Sequence, residues 1–148
     1  MKIKMMLSTL AMTFLAAAAF AGFTQPAPVT IDFATMFAAG DQLTARTAED
    51  DATNIGCGYL HIDDGTNPPF RWGFCQARVG ESAEEYIFCE TYNASLIDTI
   101  STISDFAYIS FSWQDDGAGG AECFRVRSST QSFYLPNFAT AKEKKKKK

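Results

Sequence analysis

The chain has no long apolar run beyond its first 21 residues. The apolar stretch Met5–Phe20 is about sixteen residues long, which is shorter than the roughly 20 residues that a membrane-spanning helix needs. No later segment approaches that length, so we expect no transmembrane helix in the mature form. Internal repeats are also missing, and the 127 residues that follow the first 21 of the 148 predict one domain.

The signatures of catalysis and metal binding are scarce as well. The one histidine, His61, stands near Asp63, but no serine lies in a G-x-S-x-G motif. No cysteines have C-x-x-C spacing, which argues against zinc and thioredoxin-like chemistry. The acidic turns Asp63–Gly65 and Asp115–Gly117 depart from calcium-loop spacing, and Asp-Gly is ordinary hairpin chemistry. We predict no catalytic residue, cofactor or metal site.

A glycosidase needs two carboxylates that flank the scissile glycosidic bond. Pairs of this kind can be drawn from Glu81, Glu84, Glu85, Glu90 and Glu122. The sequence gives no distance between them, and exposed glutamates near turns are ordinary. We therefore predict that the protein is not a glycosidase.

The amino-terminal residues have the pattern of a secretory signal. Lys2 and Lys4 precede the apolar stretch Met5–Phe20, and Ala19-Phe20-Ala21 is a small-x-small cleavage site. We predict that residues 1–21 are a signal peptide and that the mature chain is secreted, to the extracellular space or the periplasm.

Four cysteines follow the predicted signal, namely Cys57, Cys75, Cys89 and Cys123. An even number in an exported chain predicts two disulfides, with three pairings open. Paired residues of an antiparallel hairpin have a constant index sum, so Cys75 lies opposite Cys57 across one turn and opposite Cys89 across the next. Cys75 can bond either neighbour. We favour Cys57–Cys75 with Cys89–Cys123, because the second bond closes the longer loop.

Short alternating apolar runs, separated by Gly, Asp, Asn and Pro, predict an antiparallel sheet. Residues 93–104 change to a helical period and predict one short amphipathic helix. The fold class is therefore α+β: an antiparallel sheet of about five or six strands, arranged as a meander plus a hairpin, with one helix packed on it. The predicted strands are residues 55–62, 70–79, 86–92, 106–113 and 122–127, with 132–135 as a last short strand.

Composition divides the chain into four regions. They are the signal 1–21, an N-terminal extended segment or edge strand 22–53, a disulfide-stapled domain 54–138 and a disordered lysine tail 139–148. In the second region Val29, Ile31 and Phe33 alternate with polar residues, which predicts a strand. This strand belongs either to the sheet of its own chain or to self-association, in which it pairs with the sheet edge of a neighbouring subunit.

Charge is distributed unevenly between body and tail. Residues 22–138 contain 5 arginines and 16 acidic side chains, whereas residues 139–148 contain six lysines. An acidic body repels nucleic acid and anionic lipid, so attraction to an anionic surface or polymer must come from the tail. The tail lysines proposed for such binding are Lys144, Lys145 and Lys146.

Phe70, Trp72 and Phe74 alternate along one predicted strand. Such a row is typical of a core, and it is also typical of a platform that binds sugars or proteins. Because the opposite face of the strand is apolar too, core packing is the favoured interpretation. Trp72 remains the candidate binding residue of this row.

Arg125 and Arg127 are candidates for an anion site. Simple alternation places both arginines on the same strand face as Cys123. The alternative interpretation is an outer strand whose arginines face solvent.

These observations predict a non-catalytic secreted module with a structural or binding role at the cell surface or in the extracellular matrix. The alternative is a small secreted inhibitor or toxin-like effector of another protein. That alternative requires a rigid exposed loop, for which Gly65–Pro69 and Asp115–Gly120 are the candidates. An enzyme would require His61 beside a carboxylate in a pocket.

Overall fold

A computed structural model describes residues 23–65 and 69–136. The predicted signal, the lysine tail with Lys144, Lys145 and Lys146, and the middle of the Gly65–Pro69 loop lie outside the described residues. Residues Gln25–Pro136 form one compact unit. In the described ranges no helix is long and apolar enough to cross a membrane.

Within the described ranges, seven strands form one mixed sheet. The strands are β1 (Thr30–Asp32), β2 (Phe37–Asp41), β3 (Asn54–Ile62), β4 (Phe70–Arg78), β5 (Tyr86–Thr91), β6 (Tyr108–Asp115) and β7 (Ala121–Ser129). Their order across the sheet is β1-β2-β6-β7-β5-β4-β3. The helices are α1 (Gln42–Arg46) and α2 (Ala94–Ser101), with 3₁₀ turns at Ala83–Glu85 and Ser132–Tyr134.

The predicted meander and both disulfides are confirmed. Cys57 lies opposite Cys75 in the β3–β4 pairing, and Cys75 lies opposite Cys89 in the β4–β5 pairing. Disulfide bonds join Cys57 to Cys75 and Cys89 to Cys123, and no described cysteine is free. Two structural disulfides are typical of an oxidising compartment.

The prediction of a purely antiparallel sheet is wrong at one pairing. β5 and β7 are parallel, with Glu90 opposite Glu122. After β5, α2 carries the chain across the sheet to β6, and the β6–β7 hairpin then returns β7 into the position beside β5. Alternation along a strand carries no information on its direction relative to a strand that is not its neighbour in sequence, so the pattern missed this.

The strand count of five or six is also wrong, because the sequence pattern missed β2. Its residues Ala38, Ala39 and Gly40 are small, and they lack the large alternating side chains that indicate a strand. A Cβ atom at Gly40 would stand 2.9 Å from the Cα of Val29, so the small residue lets the chain pass closely. Residues 132–135, predicted as a strand, instead contain the 3₁₀ turn Ser132–Tyr134.

The sheet curls around one core. Besides their sheet neighbours, β1 contacts β4 and β2 contacts β3. Helix α2 packs on the inner face, where a Cβ atom at Gly73 would stand 3.1 Å from Ile100 and 3.2 Å from Ile97. Asn93 caps α2 by accepting the backbone N–H groups of Ser95 and Leu96. The largest fully buried side chains include Phe111, Ile97, Ile109, Cys75, Cys89 and Cys123.

Candidate functional site: the outer aromatic face

The two faces of β4 carry different kinds of side chain. Gly73, Cys75 and Ala77 are buried on the inner face, against the core and α2. Because these residues are small, the helix approaches the sheet closely on that side. The opposite face of β4 carries the predicted aromatic row, Phe70, Trp72 and Phe74.

The interpretation of this row as core is wrong. The side chain of Phe70 is 50% exposed, and those of Trp72 and Phe74 are half-buried. Both helices pack on the other side of the sheet, where Ala45 of α1 and Ile100 of α2 belong to the core cluster. The aromatic row therefore belongs to an outer surface of the described sheet.

Cross-strand neighbours extend the row into a contiguous surface. Trp72 and Phe74 have ring centroids 5.1 Å apart, and the ring of Phe74 stacks on Phe88 of β5 at 5.4 Å. Phe70 meets Tyr92 edge-on at 6.2 Å. We call this surface the aromatic face, and it comprises Leu60, Ile62, Phe70, Trp72, Phe74, Phe88 and Tyr92.

The members at the edge of this surface are open to solvent. Leu60 lies opposite Trp72 and Ile62 lies opposite Phe70 in the β3–β4 pairing. The two aliphatic side chains are 43% and 45% exposed, and Tyr92 is 65% exposed. Single exposed apolar residues are normal on protein surfaces, whereas contiguous groups mark interaction sites.

Polar side chains border the aromatic face on the β5–β7 side. Glu90 lies opposite both Phe74 of β4 and Glu122 of β7. Glu122 accepts a hydrogen bond from Nε2 of Gln114 at 3.1 Å. Of the five glutamates weighed for sugar hydrolysis, the structure thus pairs Glu90 with Glu122, and it places them on an open sheet surface rather than in a pocket.

A second polar border lies at the other end of β4. The guanidinium of Arg78 sits 5.6 Å from the ring centroid of Tyr86. The hydroxyl of Tyr86 donates to Oε1 of Gln76 at 3.4 Å. The aromatic face is therefore flanked by carboxylate, amide, hydroxyl and guanidinium groups.

The structure moves Arg125 and Arg127 to the face opposite that expected from alternation. Trp113 pairs with Cys123, whereas Ser112 pairs with Arg125, so Phe124 is an extra residue in a β-bulge. The bulge reverses the alternation and leaves both arginines exposed, with Cys123 buried on the inner side. Arg125 lies 5.5 Å from the ring centroid of Phe124.

His61 lies at the end of β3 and is exposed. It lines only a shallow groove, together with Tyr59, Leu60 and Asp63. Its opposite residue on β4, Arg71, forms an ion pair with Asp98 of α2. The geometry does not place the histidine in an enclosed pocket, and no group of three or more His, Cys, Asp or Glu among the residues described is arranged to hold a metal ion.

The Asp115–Gly120 loop is an exposed, internally braced turn. Oδ1 of Asp116 accepts the backbone N–H of Ala118 at 2.7 Å and that of Gly120 at 2.8 Å. These two backbone hydrogen bonds lower the pKa of Asp116 below its usual range. The loop thus has the turn role expected of an Asp-Gly sequence.

The sequence pattern missed two features of the surface, namely two members of the aromatic face and a cleft beside α1. Phe88 lies on β5, and Tyr92 directly follows its last residue, an even number of positions further on. The two-residue period of a strand would therefore have placed both on the same face. Away from the aromatic face, the sequence pattern also missed a cleft of about 530 Å³ that is lined by α1, Ala48, residues 50–55, Asp105 and Phe106. That cleft is formed by segments distant in sequence, which no local pattern reports.

Comparison with known protein families, with curated proteins and with solved structures finds no match.

Proposed function

We propose that the chain is a non-catalytic secreted module that binds a neutral polysaccharide of the cell surface or extracellular matrix through the aromatic face. The observation that carries this proposal is the contiguous, partly exposed aromatic surface, flanked by hydrogen-bonding side chains, on a disulfide-linked sheet. Export itself is part of the proposal, and a mature amino terminus at Gly22 is the result expected on sequencing the purified protein.

The chemistry of the surface suits a sugar polymer. Sugar rings present apolar C–H groups to aromatic side chains, while their hydroxyls need hydrogen-bond partners nearby. Trp72 and Phe70 supply the first kind of contact, and Glu90, Glu122 and Gln76 supply the second. Carboxylate and amide groups form hydrogen bonds with hydroxyl groups, and these bonds do not require a charge on the ligand.

Charge favours a neutral polymer over an anionic one. Residues 22–138 have 16 acidic side chains against 5 arginines, and Glu90 and Glu122 lie beside the aromatic face. The net negative charge of residues 22–138 would repel an anionic polymer at low ionic strength, although Arg78 also lies beside this face. A neutral chain carries no such penalty.

The scaffold is suited to binding because it holds the surface in place. Cys57–Cys75 links β3 to β4 beneath the aromatic face, and Cys89–Cys123 links β5 to β7. A preorganised surface loses less conformational freedom when a ligand binds.

The test is a pull-down of the mature chain on insoluble neutral polysaccharides, namely cellulose, chitin and β-1,3-glucan, beside an anionic alginate resin. The double variant Phe70→Ser/Tyr92→Ser removes two exposed rings, and we expect at least tenfold weaker retention on the polymer that binds. Leu135→Ser is the matched control, since Leu135 is similarly exposed but lies outside the aromatic face. Deletion of residues 139–148 is expected to leave neutral-polymer binding unchanged.

The proposal is contradicted if the chain binds none of the neutral polymers. It is also contradicted if the double variant is retained as strongly as the wild type. If retention is lost when residues 139–148 are deleted, or if the chain is retained on alginate alone, binding belongs to the lysine tail instead. If the wild type captures a protein from the native extracellular fraction and the Phe70→Ser/Tyr92→Ser variant does not, the ligand of the aromatic face is a protein and not a polysaccharide.

The braced Asp115–Gly120 loop favours a second candidate, a secreted inhibitor or effector of another protein. A rigid exposed loop loses little freedom on entering a target site. This candidate predicts that Asp116→Ala, which removes the acceptor for Ala118 and Gly120, weakens inhibition of a target while Phe70→Ser/Tyr92→Ser does not.

A further inference from the structure

The β3 edge of the sheet lacks the sequence features that usually protect an edge strand against pairing. β3 is nine residues long, pairs only with β4 in the sheet and keeps an unbroken register from Asn54 to Ile62. Its sequence, NIGCGYLHI, contains no proline, lysine or acidic residue. Natural edge strands are commonly blunted by such residues, by bulges or by a short length.

The other edge of the sheet differs in each respect. β1 has three residues and includes Asp32, and Pro28 lies two residues before the strand begins. Short length, charge and a nearby proline are devices that discourage strand addition. The contrast singles out β3 as the edge available for pairing.

The ladder geometry identifies which backbone groups of β3 point outward. The Cα atoms of Cys57 and Cys75 are 4.0 Å apart, close to the value for a pair that exchanges no backbone hydrogen bonds. Val79, which follows β4 and is an even number of residues from Cys75, donates its backbone N–H to the carbonyl oxygen of Glu85, which precedes β5. The backbone groups of Cys75 therefore also point toward β5 and away from β3. The outward N–H and C=O groups of β3 therefore belong to Cys57, Tyr59 and His61.

The available part of this edge is its C-terminal half. The other end of the curled sheet, with α1 and β2, contacts β3, and the Asn54–Ile55 end of the strand lines the cleft beside α1. At the other end Tyr59, Leu60 and His61 border an open groove. An extended strand is the ligand that satisfies outward backbone donors and acceptors along such an edge.

We infer that two copies of this chain pair through β3, antiparallel about a two-fold axis at Leu60. This register places Tyr59 of each copy opposite His61 of the other, so that their outward backbone groups exchange hydrogen bonds. It also brings Leu60 of one copy against Leu60 of the second copy.

Side chains on the outer surface complement this register. Gly58 of one copy lies opposite Ile62 of the second copy, which is 45% exposed in the single chain. The ring of Phe74 lies over Gly58 and so reaches the sheet edge. Ile62 of the second copy therefore meets an aromatic ring rather than bare backbone, and no charged side chain occupies residues 58–62.

Pairing of this kind would also enlarge the aromatic face. It joins the two sheets across β3 and places the aromatic faces of both copies side by side. A doubled face would hold a repeating polymer at two points. The pairing goes beyond the proposed function and is measured without ligand, so either proposal can fail alone.

The test is sedimentation velocity of the mature chain from about 1 to 200 μM, with circular dichroism to confirm that each variant is folded. We expect the mass to approach that of two chains at the upper concentration. Leu60→Lys places two like charges on the axis, and His61→Pro removes an outward N–H that β4 does not use. Each is expected to raise the dissociation constant at least tenfold. Tyr92→Lys is the control, because Tyr92 shares the aromatic face but lies away from the edge.

A second measurement needs no variant. Amide hydrogen exchange at Tyr59 and His61 should slow at least tenfold between 1 and 200 μM, while exchange at β1 stays constant. The inference is overturned if the chain keeps the mass of one copy throughout, or if both edge variants still pair. It is equally overturned if Tyr92→Lys abolishes pairing, or if exchange at Tyr59 and His61 does not depend on concentration.

Discussion

The ring of Phe74 lies over Gly58 of the neighbouring strand, and a Cβ atom at residue 58 would stand 2.7 Å from its Cζ atom. The glycine thus provides the space in which an outward aromatic ring of β4 lies across β3. Two residues earlier in the same strand, a Cβ atom at Gly56 would meet nothing within 4 Å. The two glycines therefore have different roles although both lie in β3.

Gly58→Ala is expected to lower the free energy of unfolding by about 1–2 kcal/mol, because the ring of Phe74 must move and leave its contacts with Trp72 and Phe88. Gly56→Ala is the matched control, with an expected change within about 0.5 kcal/mol. Urea unfolding followed by tryptophan fluorescence measures both. Equal effects of the two substitutions would show that the ring does not depend on this space.

The two disulfides are expected to contribute unequally. Cys57–Cys75 closes a loop of 18 residues inside a long hairpin, whereas Cys89–Cys123 spans 34 residues and ties β5 to β7. Loop entropy alone gives about 3 kcal/mol for the first bond and about 4 kcal/mol for the second. β5 and β7 share a short pairing, so the second bond has less support from a ladder.

We therefore expect the double variant Cys89→Ala/Cys123→Ala to unfold at a lower urea concentration than Cys57→Ala/Cys75→Ala. Thiol titration of the unreduced wild-type protein is the control and should find no reactive cysteine. A larger loss from the Cys57–Cys75 bond would show that loop closure does not decide the difference.

Among the carboxylates in the N-terminal part of the domain, Asp41 is expected to cost the most stability when it is replaced. It is 1% exposed, and its oxygens accept the backbone N–H groups of Thr44 and Ala27, each at 2.6 Å. Asp41→Ala leaves both donors unsatisfied and uncaps α1, so we expect a loss of about 2–4 kcal/mol. Thr44→Ala removes only the hydroxyl donor and should cost about 1 kcal/mol. Thermal unfolding of the three proteins measures the difference.

Acidification is expected to destabilise the Asp115–Gly120 turn. Backbone N–H groups of Ala118 and Gly120 lower the pKa of Asp116 in the folded state. A lowered pKa gives stability that is present above the unfolded value of about 3.9 and is lost as pH falls through the folded value. Asp116→Asn should therefore melt below the wild type at pH 6, and this gap should close by about pH 2. A gap that is independent of pH would contradict this origin of the stability.

Sequence periodicity was sufficient for the local elements that carry large alternating side chains. The meander β3–β4–β5 and the register of Cys57, Cys75 and Cys89 followed from hairpin symmetry, because consecutive antiparallel strands joined by short turns have few alternatives. The preferred disulfide pairing followed from loop length. Helix α2 followed from a change of period at residues 93–104. β2 escaped notice because its small residues Ala38, Ala39 and Gly40 show no alternation.

The candidate site was predicted only in part. Trp72 and its row were visible from the sequence, but whether the row lies in a core or on a surface depends on which face the helices cover. Likewise, the bulge at Phe124 reversed the expected orientation of Arg125 and Arg127, since one extra residue inverts every later side chain.

The sequence by itself determined the strands β3 to β7, the turns that join β3, β4 and β5, and the alignment of Cys57, Cys75 and Cys89 across them, since these depend on neighbouring residues and chain connectivity. Only the tertiary structure decided that β5 and β7 run parallel, that the aromatic row faces outward and that the C-terminal half of β3 is left as an open edge. Those features depend on how segments distant in sequence share the two faces of one sheet, and side-chain period is the same whichever face is covered.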